Sequence, residues 1–397
     1  MGGNKIGLLL DTLPRDGGTF QYSISMLNAF EDLSINGLDV IVLSTNSEWS
    51  KLLSKKCIKN YSIKKNIYYR IISKLFDKIN LPFEYQRNIL SLFHPLARKI
   101  KKLDCNLWVF PAADSWSYKL KVNSIVTIYD LMHRYEKRFP EVSENGIYEW
   151  REKHYTLISK YALAILVDSE IGKQHVIDSY NVNCKKIHPL PYIAPIHNFN
   201  LADLLDFEKK YIGLNKFIFY PAQYWLHKNH INLLHAIFKL KSTYRNISVV
   251  FVGSTSYNGF EKVEKLIKDL NLIDNILLLD YVPQVEIPIF YKKARCLIMP
   301  TYFGPTNIPP LEAIAIGCPV GISDIYGIRE QLGECALYFN PSSVDEIANT
   351  IEKLWTDDIL CTNLIELGKE RNQLYSQENF NKKITSIINT IITCYNI

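Results

Sequence analysis

Short apolar runs alternate along this chain with stretches in which apolar residues recur every three or four positions. The first pattern predicts buried strands and the second predicts amphipathic helices. KIGLLLDT (5–12), DVIVLST (39–45), NLWVFPA (106–112), SIVTIYD (124–130), LAILVDS (163–169) and KIHPLP (186–191) make one series of strands. Phe20, Ile24, Leu27 and Phe30 stand at helical spacing after the first of them, and further helices are expected over 145–161 and 170–180. Residues 189–200, PLPYIAPIHNFN, hold three prolines and little periodicity, which marks a linker. A second series follows with KFIFYPA (216–222), SVVFVGS (248–254), NILLLDYV (275–282), CLIMPT (296–301), PVGISD (319–324) and ALYFNP (336–341). Its helices fall near 229–242, 259–271 and 284–294, from about 309, and through most of 343–393.

Such alternation means parallel sheets with helices on both faces. The expected fold class is α/β, with two Rossmann-like domains facing a cleft. The N-terminal domain takes residues 1–192 and the C-terminal one 193–375, leaving a helix over 376–397. Ligands of such sheets bind beyond the carboxyl ends of the strands, and each candidate below lies at such an end.

Composition changes this picture little. The 397 residues are 47% hydrophobic and 22% charged, the balance of an ordinary globular chain rather than a disordered one. No run is long and apolar enough to span a membrane, and the N-terminus lacks a signal-peptide pattern, so a cytoplasmic protein is expected. The eight cysteines show no Cys-x-x-Cys pair and read as reduced thiols. Charge adds one feature. Residues 51–80 hold nine Lys/Arg and one Asp, a net +8 in a chain of net +6, interleaved with apolar residues. That stretch suits an anionic membrane surface or a lipid-linked substrate, or else a solvated basic face. No nucleic-acid motif accompanies it.

Three strand-to-helix turns carry candidate chemistry. Gly17 and Gly18 follow the first strand, where backbone N–H groups can meet an anion or simply turn the chain; the full G-x-G-x-x-G fingerprint is absent. Lys228 stands before Asn229, a helix N-cap candidate, and is either a phosphate ligand or a surface lysine. The third turn, PTYFGPTNIPPLEA (300–313), is dense in Gly and Pro. Thr306, Asn307 and Ile308 can present backbone amides there, and Glu312 can serve the helix dipole or hold the vicinal hydroxyls of a ribose.

The stretches PAQYWLHKNHINLL, VFVGS, LLDYVPQVEIPIFYKKARCLIMPTYFGPTNIPPLEAIAIGCPVGISD and IREQLGECALYFNP, in this order, resemble the donor domain of retaining GT-B glycosyltransferases, glycosyltransferase family 4 in particular. The first half matches more weakly, through the Gly17-Gly18 turn, TIYDLMHRYEKRFPE and ILVDSEIGKQHVIDSY. The resemblance implies a GT-B fold whose C-terminal helix packs back on the first domain. It also implies that Lys228 binds the donor diphosphate, that Glu312 holds the ribose, and that Thr306, Asn307 and Ile308 turn amides to the phosphates. Tyr281 and Val282 fall where the base is gripped, and Gly17 and Gly18 face the donor. Three positions depart from the family pattern: Gly304 replaces a glutamate, Gln223 an arginine, and Tyr129 the histidine before Asp130, with His133 three residues on. His133 and Asp130 are therefore candidates for contact with the donor sugar, and Gln223 for contact with the diphosphate.

The chemistry implied is transfer of a sugar from a nucleotide-sugar to a glycan or lipid-linked oligosaccharide acceptor, with retention, in O-antigen or capsule assembly. Lys228 and the helix start supply positive charge to the leaving diphosphate; one unit-charge pair at about 4 Å is worth ~4 kcal/mol at an effective dielectric near 20. No acidic cluster for a divalent ion accompanies the site, so no metal and no cofactor is expected. A non-catalytic nucleotide-sugar-binding protein and a sugar-nucleotide epimerase are the alternatives on the same frame.

Overall fold

The structure is a computed structural model, and it describes residues 4–65, 71, 82–195, 199–256 and 259–397. Those residues divide into two compact units. One comprises 1–131, 149–193 and 377–397, the other 132–148 and 194–376.

The first unit is built on a seven-stranded sheet of β1 (Lys5–Leu10), β2 (Asp39–Ser44), β3 (Lys59–Ser62), β4 (Leu107–Phe110), β5 (Ser124–Thr127), β6 (Ala164–Val167) and β7 (Ile187–Pro189). Their order is β3-β2-β1-β4-β5-β6-β7, with parallel pairing throughout. The central strands are buried on both faces, which is why their sequences are unbroken apolar runs rather than alternating ones. Edge strand β3 escaped the sequence reading because its four residues, Lys-Asn-Tyr-Ser, are all exposed and carry no apolar signal. It lies in the basic stretch 51–80, most of whose second half (66–70 and 72–80) is outside the described residues. In the described half, Lys56 pairs with Glu31 at 2.7 Å, Lys59 with Asp39 at 2.9 Å, and Lys65 with Asp11, so part of the basic charge is answered locally.

The helix Gln377–Tyr395 belongs to this first unit. It buries Phe380, Ile384, Ile387, Ile388 and Ile391, sets Phe380 edge-on to Tyr22, and donates from Gln377 to the Ser25 carbonyl of helix Gly18–Ile35.

The second unit carries β8 (Ile218–Pro221), β9 (Val249–Val252), β10 (Ile276–Leu279), β11 (Cys296–Met299), β12 (Val320–Ser323) and β13 (Ala336–Phe339), ordered β10-β9-β8-β11-β12-β13 and again parallel. Phe217, Phe219, Tyr220, Phe251, Phe290 and Tyr291 fill its core.

One segment corrects the expected boundaries. Met132–Tyr148, placed by sequence in a domain spanning 1–192, packs with the second unit. The cause is apolar and ionic together. Met132, Phe139 and Val142 bury against Phe303, Arg138 lies over the Tyr302 ring, and Tyr326 donates to Glu136 at 2.5 Å.

Candidate active site

In the second sheet, β8, β9 and β10 run to one side and β11, β12 and β13 to the other. The β8/β11 pair is thus the switch point, the place beyond which ligands of such sheets bind. β8 ends at Pro221 and β11 at Met299, so the loops carrying Lys228 and residues 300–307 leave the sheet side by side.

Lys228 closes a single 3-10 turn, Leu226–Lys228, and is half-buried. Its carbonyl accepts the Tyr220 hydroxyl at 2.7 Å. Asn229 does not cap the following helix through its side chain, as the sequence suggested. It takes the left-handed conformation at φ 58°, and its amide donates to the carbonyls of Pro300 (2.9 Å) and Pro341 (2.8 Å). That ties the lysine turn to the loop after β11 and to the end of β13. His227, just before the lysine, adds a second tie: its carbonyl accepts the Tyr302 amide at 2.7 Å, and its ring stacks on Phe303 at 3.8 Å between centroids.

Glu141 meets His227 from the 132–148 segment, 86 positions away in sequence. One oxygen accepts both the ring Nδ1 at 2.5 Å and the backbone amide at 2.8 Å. A carboxylate only accepts, so Nδ1 carries the proton in this pair. Burial pushes the Glu141 carboxyl up, but the His227 ring and amide outweigh it and hold the group below the usual carboxylate range.

The loop after β11 enters helix Ile308–Ile316, with Asn307 at its N-cap and prolines at 309 and 310. Those prolines fit a first turn but carry no N–H. Gln331, 2% exposed, grips the Asn307 peptide from both sides: its Oε1 accepts the Asn307 amide at 3.1 Å and its Nε2 donates to the Asn307 carbonyl at 2.7 Å. The Asn307 amide is therefore committed within the protein, which corrects its expected role toward a phosphate. Ile308 opens the helix Ile308–Ile316, whose dipole favours an anion at this end. Gly304 sits at φ +116°, and a Cβ there would come within 3.0 Å of the Asn307 side chain. The loop is thus built around glycine where the family pattern has glutamate.

Glu312 lies one turn into the same helix, half-buried, and its Oε2 accepts the Tyr291 hydroxyl at 2.9 Å. Burial and the adjacent carboxylate push Tyr291 well above the usual phenol range, so it stays a donor and holds Glu312 in place. Gln223 turns its amide oxygen to the Ser254 amide at 2.7 Å, joining the ends of β8 and β9. That oxygen serves the protein; a part for Gln223 at a diphosphate falls to the rest of its side chain. Past β10, Tyr281 is 83% exposed and Val282 is buried, so a base can meet the tyrosine ring but not the valine side chain.

The remaining candidates stand on other elements. Gly17 and Gly18 follow β1 in the first unit, exposed. Gly17 at φ +57° caps the helix Gly18–Ile35, and a Cβ there would meet nothing within 4 Å. Asp130, also of the first unit, pairs with Arg151, which further donates to the Tyr155 hydroxyl; its carboxylate is part of a helix-anchoring network. His133 belongs to the second unit and is fully buried, with its ring 5.5 Å from Tyr148. Its ring is therefore closed off from solvent rather than presented on the surface. Burial follows from its place in the short helix Met132–Tyr135, whose Met132 enters the Phe303 cluster.

Residues 206–371 match the family described as glycosyl transferases group 1. Over 355 residues, 88% of each chain, the protein is 26% identical to the O-antigen chain mannosyltransferase RfbU of Salmonella typhimurium. Over 104 residues, 26% of this chain and 27% of the relative, it is 31% identical to the O-antigen chain mannosyltransferase B of Escherichia coli. Anabaena HepE, solved with UDP and glucose, superposes with a TM-score of 0.74 at 14% identity, covering 98% of this chain and 100% of that one. WaaG, a glycosyltransferase involved in lipopolysaccharide biosynthesis, does so with 0.67 at 14% identity, covering 96% and 99%. With two parallel α/β sheets, a switch-point lysine and the Glu312 helix on the second, and with residues 206–371 matching the glycosyl transferases group 1, this chain is a glycosyltransferase of the GT-B fold.

Proposed function

We propose that this glycosyltransferase moves a mannosyl group, with retention, from a nucleoside diphosphate donor to a lipid-linked glycan in the assembly of a bacterial surface polysaccharide. The observation that carries the reading is the convergence at the β8/β11 switch point of Lys228, the start of helix Ile308–Ile316, and a Glu312 oriented by Tyr291. The mannosyl group and the polysaccharide context come from the two O-antigen relatives, whose names state both.

As the sugar–phosphate bond breaks, negative charge grows on the diphosphate. Lys228 and the helix N-terminus stabilise that charge more than they stabilise the intact donor, which lowers the barrier. Glu312 accepts from the ribose hydroxyls and the exposed Tyr281 ring faces the base. Retention follows if the acceptor oxygen attacks from the face the diphosphate leaves and gives its proton to a departing phosphate oxygen. Positive charge for this step is already present in the chain, so the reaction is expected to run at full rate in EDTA. The exposed lysines 51, 55 and 64 of the basic stretch offer an anionic lipid surface at the inner face of the membrane a means of attracting the enzyme.

The test is transfer from GDP-mannose and a panel of UDP-sugars to a polyprenyl-diphosphate-linked oligosaccharide, with the new linkage read by NMR. Acceptor-dependent formation of an α-mannoside supports the proposal. Donor consumption that ignores the acceptor, or an inverted linkage, contradicts it.

A further inference from the structure

We infer that Glu141 is a positioning residue for the diphosphate end of the donor, acting through His227 on Lys228 and on the 301–308 loop; the inference rests on the transferase reading above. The Glu141 side chain is 6% exposed. Burying an ionised carboxylate is costly unless its partners are well placed. Here both bonds go to one residue, the His227 ring and the His227 amide, so they fix the orientation of the imidazole and the path of the backbone together. His227 stands where that control matters. It precedes Lys228 directly, its carbonyl holds the Tyr302 amide, and its ring lies flat on Phe303, the residue before Gly304. Lysine is a point charge on a flexible stem, so where its ammonium falls depends on where its backbone is held. A displacement of an ångström in such a group is enough to lose much of its effect.

The source of Glu141 sharpens the point. It lies between β5 and β6 in sequence, yet its segment packs with the unit that carries Lys228. Tyr326 bonded to Glu136 and Arg138 seated over Tyr302 hold that segment down. The lysine turn is thus completed by chain from the first half of the sequence, and residues 194–376 alone lack the group that fixes it.

The experiment uses the full chain with Glu141→Ala, Glu141→Gln and His227→Phe. The last keeps an aromatic ring against Phe303 and the backbone amide, but its ring cannot donate to Glu141. UDP and GDP are titrated calorimetrically, and uridine and guanosine are measured by ligand-observed NMR. Loss of positioning weakens diphosphate binding about tenfold or more in Glu141→Ala and His227→Phe. Nucleoside binding stays within about twofold, and Glu141→Gln, which keeps an acceptor oxygen, falls between. Folded variants that bind the diphosphate as wild type does overturn the inference and leave the transferase reading standing. So does a loss shared equally by nucleoside and diphosphate, or the unfolding of all three variants, since each assigns Glu141 to the fold alone. A wild-type protein that binds neither nucleotide overturns the transferase reading and this inference with it.

Discussion

At the scale of single residues, the site depends on side chains that hold other groups rather than meet a ligand themselves. Gln331 is the clearest case, since it pairs with both ends of the Asn307 peptide. Gln331→Leu leaves two buried backbone groups unpaired, which costs ~1–3 kcal/mol each. We expect a lowered melting temperature and a raised donor KM; an unchanged KM in a folded variant would separate this clamp from the phosphate loop. Tyr291→Phe removes one bond to Glu312 and leaves the ring in place. Its donor KM should rise severalfold with kcat little changed, since ribose contacts act alike on ground and transition states. The sequence announced Lys228, Glu312 and the 300–313 turn because strand ends, glycines and prolines mark such sites. Glu141, His227 and Gln331 stayed hidden. A buried carboxylate, imidazole or amide gains its meaning from a partner distant in sequence, and no local pattern records it. The packing of His133 near Tyr148 and the pairing of Asp130 with Arg151 were equally invisible, since both are tertiary facts.

At the scale of elements, the strands were legible because a parallel sheet covered on both faces demands unbroken apolar runs, and both series show them. β3 was not, since an exposed edge strand makes no such demand. Loop geometry was half visible. The density of Gly and Pro at 300–310 identified the turn, but not that Gly304 at φ +116° is essential to its path. Restoring the family's glutamate tests this. Gly304→Glu places a Cβ against Asn307 and strains the backbone by ~1–3 kcal/mol. We expect thermal destabilisation and reduced turnover, whereas a gain in activity would mean that the loop relaxes readily and that glutamate was missing rather than excluded.

At the scale of the molecule, two stretches leave the order of the chain: Met132–Tyr148 joins the second unit and Gln377–Ile397 the first. Removing residues after Ser376 strips five buried apolar side chains from the first unit. At ~1.5–3 kcal/mol each, that loss rivals the whole stability of a domain. The first unit should then fail to fold, as proteolysis mapped by mass spectrometry will show. Acid sensitivity has its source in both units. Burial lowers His94 and His154 to about 4, and burial with the Lys228 charge lowers His230 to about 3. A folded pKa below the unfolded value of about 6.5 means that the unfolded chain binds the proton first. Stability is therefore complete above pH 6.5 and declines toward pH 4, by up to about 1.4 kcal/mol per pH unit for each histidine. His230→Phe should flatten that decline, read as the change in melting temperature between pH 7.5 and 5; an unaltered slope would place the acid sensitivity elsewhere.

Release of nucleoside diphosphate by wild type and by Lys228→Ala, each given GDP-mannose or a UDP-sugar with a lipid-linked acceptor, asks most directly whether that lysine serves the departing diphosphate. Wild type should release the diphosphate in step with transfer, and the variant, still folded, should do so about 10²–10³ times more slowly. Equal rates from the two proteins would contradict the role given to Lys228 and, with it, the site described at the β8/β11 switch point.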